Sequence, residues 1–174
     1  MFNFEELDST TRQYMLSEFH AEEASGNPYR SSLLSPTGLT AFPKAMEEAL
    51  LHGNEGTLAN ALSDSVYWHP FDQSGKRVNP ASAAERLALT EFNTWYVRGL
   101  ARRLMEEDVQ YCEVYRAAPA WKPRQECLEH EGATYAVREI YEGHRARYWP
   151  QGDPKVLSIP AGPYCHHSIR RVRS

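Results

Sequence analysis

Cysteine is scarce in this chain, with three among 174 residues. No window approaches 18 consecutive apolar residues, which excludes a transmembrane helix. The opening Met1-Phe2-Asn3-Phe4-Glu5-Glu6 has neither the basic stretch nor the apolar stretch of a secretory signal. Few cysteines and no secretory signal together predict a protein that is not secreted, is kept in a reducing compartment and has no disulfide framework. Internal repeats and low-complexity tracts are also missing, which excludes solenoids and disordered tails as the main architecture. With a formal net charge of −4, the chain is too acidic to serve as a dedicated nucleic-acid coat.

The charge that is present is unevenly placed. Residues 1–90 carry 6 Lys and Arg against 12 Asp and Glu, whereas residues 91–174 carry 13 against 11. Three arginines, Arg170, Arg171 and Arg173, fall in the last five residues. They read either as a solvated tail or as a contact with a phosphate backbone or an acidic partner.

The predicted fold class is α+β, with N-terminal helices and one long helix followed by a small β-rich C-terminal module. Residues 1–79 form the helical N-terminal region and residues 80–174 the long helix with its module. Phe4, Leu7, Tyr14, Met15 and Phe19 recur near helical spacing and predict a helix over 4–25, stopped by Gly26-Asn27-Pro28. Residues 27–40, rich in Ser, Pro and Gly, read as an extended connector. Thr40 caps a predicted helix starting at Phe42-Pro43, and a short one follows from Gly56 to Leu62. Asn79-Pro80 is an N-cap with a first-turn proline and opens the strongest helix, 80–107, roughly 42 Å long at 1.5 Å per residue. After it the period changes. Val109–Ala117, Val156–Ile159 and Ser168–Val172 read as strands, and Tyr135–Tyr148 as a short strand and a helical turn.

Two short clusters carry the chemistry. Cys127-Leu128-Glu129-His130-Glu131-Gly132 holds a C-x2-H pair. Pro163-Tyr164-Cys165-His166-His167 holds Cys165 and His167 at i, i+2, which point to one side of a strand. Cys127, His130, Cys165 and His167 together make a tetrahedral Zn²⁺ set, a structural metal that would knot the β-rich end. Other readings stay open. Cys127 also suits a small buried hydrophobe, and Cys127 with Cys165 a disulfide. Either Cys–His pair also has the composition of a nucleophile and its base, with Glu129 or Glu131 as the orienting group. A metal-dependent nuclease or other hydrolase would need an array of carboxylates that the sequence does not display.

Taken in order, these features resemble the Mu F-like minor head proteins of tailed bacteriophages, over residues 81–173. The resemblance rests on Arg86-Leu87-Ala88-Leu89-Thr90-Glu91 in the long helix, Cys127 and Gly132 in the first cluster, and Pro163 and Cys165 in the last. His130 and His167 stand where the family has cysteines, and Gly162 stands where it has histidine. The resemblance implies a structural, non-enzymatic role in head morphogenesis at the capsid interior or portal. It places the protein in the virion or the host cytoplasm. It further implies that the helix bearing Arg86, Thr90 and Glu91 docks on a capsid or portal partner. Arg170, Arg171 and Arg173 would face that partner or DNA. The alternatives are a metal-dependent hydrolase and a zinc-stabilised protein-binding module.

Overall fold

The computed structural model describes residues 1–119, 122 and 124–174. Its described residues form six α-helices and one three-stranded antiparallel sheet, an α+β fold as the sequence predicts. No helix among them is long and apolar enough to cross a membrane.

The organising element is α4, Pro80–Glu106, which begins where Asn79 accepts a hydrogen bond from the Ser82 N–H. It is buried on several faces rather than along one stripe: Leu87, Phe92, Trp95, Tyr96, Leu100 and Leu104 are all within the core. Helices α1 (Ser9–Ala24), α2 (Pro36–His52), α3 (Glu55–Ala61) and α6 (Val137–Glu142) surround it, with the sheet on its remaining side. One apolar core runs from Met15 and Phe19 through Met46 and Leu58 to Val114, Ile140 and Ile169. Residues 1–79 and 80–174 therefore share a single interior.

Two helices start elsewhere than their periodicity predicts. Helix α1 begins at Ser9 because the Asp8 carboxylate accepts from the Thr11 N–H at 2.8 Å, an N-cap bond. Residues 2–4 form instead an irregular strap that ends in a turn at Glu5-Glu6. Phe4 packs against Tyr96 and Phe92 with ring centroids 4.6 and 5.3 Å away. The Asn3 N–H donates to the Ala117 carbonyl at 2.7 Å. Helix α2 begins at Pro36, capped by Ser35, so the predicted connector is shorter than 27–40 and Pro43 lies inside the helix. The Arg12 guanidinium closes the far end of α2 by donating to the Leu50 and Gly53 carbonyls at 2.9 and 2.8 Å.

The sheet has the order β2-β1-β3, with β1 Tyr111–Arg116, β2 Thr134–Ala136 and β3 His167–Arg171. Its register places Val114 opposite Ile169 and Arg116 opposite His167. The one-turn helix α5, Gln125–Leu128, precedes β2. The predicted strand Val156–Ile159 is irregular chain with bends at Val156 and Ile159, bracketed by Pro154 and Pro160, and Val156 is exposed.

Candidate metal centre

The two clusters meet. The Cys127 and Cys165 sulfurs and a His167 ring nitrogen lie within 4.8 Å of one another, and all three residues are buried. This group could hold a metal ion. All three cysteines of the chain are free thiols.

Each ligand is placed by a different element. Cys127 sits on α5, and Arg124, at the start of that turn, donates to the Pro163 carbonyl at 3.0 Å. That bond draws the first cluster onto the second. Cys165 closes a tight turn in which its N–H reaches the Gly162 carbonyl at 3.1 Å, with Tyr164 at φ +68° and Gly162 at φ +150°. His167 is the first residue of β3. Its carbonyl accepts from Asn93 Nδ2 of α4 at 2.8 Å, which fixes the strand against the central helix.

The surroundings suit a metal ligand set. His167 Nδ1 faces Cys165 Sγ at 4.0 Å, and its Nε2 meets Glu131 Oε2 at 3.1 Å. Arg116, cross-strand from His167, donates to the same Glu131 oxygen at 2.7 Å. The Arg116 contact, and then the His167 contact, hold the Glu131 carboxyl below its usual range. An ionised Glu131 accepts a hydrogen bond from Nε2–H of the neutral ring, the tautomer that turns the Nδ1 lone pair toward the sulfurs. This is the carboxylate–histidine arrangement that orients metal-bound imidazoles. The thiols divide in the same sense. A hydrogen bond from Cys127 is the main cause that favours the Cys165 thiolate, with His167 adding to it against the opposing effect of burial. The Cys127 thiol is pushed up by that same bond and by burial. The Cys165 hydrogen bond is also the largest influence raising His167.

Other predicted site residues are placed differently. His130 is not part of the group. Its Nδ1 is hydrogen-bonded with the Tyr135 hydroxyl at 2.5 Å, because β2 pairing brings Tyr135 over the turn. Glu91 is an interior residue, not part of a docking face. It accepts two bonds from the Arg145 guanidinium, at 2.8 and 2.7 Å, and both side chains are about 1 % exposed. The rest of this motif lies nearer the surface. Thr90 Oγ1 donates to the Arg86 carbonyl at 3.0 Å, and the exposed Arg86 guanidinium stacks on the Tyr164 ring at 4.9 Å. The C-terminal arginines are engaged within the chain. Arg170 pairs with Glu5 and Glu113, Arg171 with Glu6 and Glu107, and Arg173 with Glu5. The acidic excess of the first residues is thus opposed by the basic excess of the last.

The residues that sequence reasoning missed are Arg116, Asn93 and Arg145. Arg116 and Asn93 act through strand register and helix packing, which leave no local signature, and Arg145 sits in an irregular turn. Glu131 was signalled by its place inside the first cluster. No family model matches the chain, and neither does any curated protein or solved structure.

Proposed function

We propose that this chain is a structural minor head protein of a tailed phage or prophage, at the capsid interior or portal. In this reading Zn²⁺ held by Cys127, Cys165 and His167 ties its C-terminal segment to the sheet. One observation supports the reading most. The cysteines that carry the Mu F-like resemblance, distant in sequence, lie together with His167 as one buried donor set. Two thiolates and an imidazole suit zinc, and a metal there would fasten residues 128–164, which contain little regular structure. Glu91, also in the resemblance, serves as an internal tie through Arg145. Contact of DNA with Arg170, Arg171 or Arg173 would have to compete with their carboxylate partners. Arg173, whose side chain is 65 % exposed, is the most available.

The test has two arms. Induced particles are purified and searched for this chain beside capsid and portal proteins, and purified protein is assayed for metal. We expect the chain in particles and about one zinc per chain, lost in both Cys127→Ser and Cys165→Ser. A chain that never enters particles and is encoded away from head genes ends the phage reading, and protein without metal ends the zinc reading.

A second reading has a specific observation in its favour. Cys165, His167 and Glu131 stand in the order of a nucleophile, a base and an orienting carboxylate. A thiol hydrolase of this kind predicts fast alkylation of Cys165 by iodoacetamide, with loss of ester hydrolysis. An unreactive Cys165 in metal-free protein removes that reading.

A further inference from the structure

The donor set is one short of a closed tetrahedron. Among the described residues, no other Cys, His, Asp or Glu joins Cys127, Cys165 and His167. The nearby candidates are engaged elsewhere. His130 is held by Tyr135, His166 donates from Nδ1 to the Pro119 carbonyl at 2.7 Å, and Glu131 occupies the far nitrogen of His167. The three remaining residues, Ala120, Trp121 and Pro123, have no ligand side chains. Structural zinc sites are closed by four protein ligands, whereas sites with three keep an exchangeable position. A cavity adjoins one of the three ligands. Cys165 forms part of the wall of a cavity of about 210 Å³. Its other walls are Tyr164 and His166 on one side, and Glu85, Arg86 and Thr90 of α4 on the other.

We propose that the metal centre keeps one exchangeable coordination position, filled by water and open to a small anion entering through the cavity between α4 and the Tyr164–His166 turn. The inference rests on the metal reading above. In the exchange one water leaves as one anion binds, and the bonds to Cys127, Cys165 and His167 persist. At the cavity wall the Arg86 guanidinium attracts an anion, against the opposing carboxylate of Glu85.

Cobalt-loaded full-length protein provides the test, with azide as the probe. Two thiolates and one imidazole predict a near-ultraviolet charge-transfer band and visible d–d bands. Azide should shift the d–d bands saturably with the charge-transfer band retained. His130→Ala should bind cobalt with the same spectrum. A spectrum indifferent to azide, or one altered in His130→Ala, overturns the exchangeable position and leaves the metal reading standing. Failure to bind cobalt or zinc at all overturns both. The azide titration uses the unmutated chain, so it does not depend on any variant folding.

Discussion

Arg145 is buried alongside the aromatic residues of the core, yet it carries a charge. It holds Glu91 through two bonds, reaches Glu22 at 3.2 Å and the Tyr148 hydroxyl at 3.1 Å, and lies over the Tyr29 ring at 4.6 Å. Removing one partner of such a pair strands the other in a medium that cannot solvate it, at a cost of about 3–5 kcal/mol. Arg145→Met should therefore lower the unfolding free energy by about that amount in urea titrations. Adding Glu91→Leu should recover much of it, since an apolar pair of similar volume needs no solvation. If the double variant is as unstable as the single one, the pair is not what Arg145 contributes. At the metal centre the corresponding residue is Glu131. Glu131→Gln should weaken metal binding by about 10–100-fold in a chelator competition, the usual effect of losing the group that orients a histidine ligand. His130→Ala, at the residue next to Glu131 in the chain but outside the donor set, should leave that affinity unchanged.

Helix α4 is readable almost to the residue, because Asn79-Pro80 is a cap and a first-turn proline in one. The helices on either side of the connector are less readable. Pro36 and Pro43 both suit a first turn, and the choice falls to Ser35, whose hydroxyl meets the Gly38 N–H at 3.1 Å. Phe4 and Leu7 have helical spacing relative to Tyr14, and only the Asp8 cap separates strap from helix. Three of the four predicted metal ligands converge. The fourth is diverted by Tyr135, whose position depends on a strand pairing between distant segments. Spacing within a motif is local information and register is not. Where α1 crosses α4 the contact is close enough to predict a consequence. A Cβ on Gly99 would lie 2.6 Å from the Met15 backbone nitrogen and from its Cγ. Gly99→Ala should therefore force the helices apart and lower stability by about 1–3 kcal/mol, against the gain in helix propensity that alanine normally brings. An unchanged or raised melting temperature would show that the crossing can yield.

Across the whole molecule, stability should depend on pH through the junction of α1, α4 and α6. His144 faces Glu22 at 3.1 Å, the Trp95 ring at 5.1 Å between centroids, and the Arg98 and Arg145 charges. Burial is the largest influence and lowers its pKa below the ordinary histidine value, with Glu22 opposing. The unfolded chain therefore takes up a proton near pH 6.5 that the folded chain resists, and stability falls as the pH drops through that region. Glu22 works lower down. Burial opposes its ionisation, but the His144 hydrogen bond and the Arg145 charge keep its pKa depressed, so its contribution is present above about pH 4.5 and is lost on further acidification. Between about pH 7.5 and 5.5 the urea midpoint of His144→Phe should change less unfavourably than that of the parent chain, because the opposite contribution of His167, whose pKa is raised, is common to both. Equal slopes would assign the pH dependence elsewhere.

The order of strands sets a schedule for the chain as it is made. Strand β1 lies in the middle of the sheet, yet its longer partner, β3, is synthesised more than fifty residues later, with Cys112 opposite Arg171. Until residues 167–171 emerge, β1 presents an unpaired edge, and Glu5 and Glu6 of the strap lack the arginines that hold them. The helices packed on α4 can assemble early, while the sheet, the strap and the metal donor set are all completed by the same late segment.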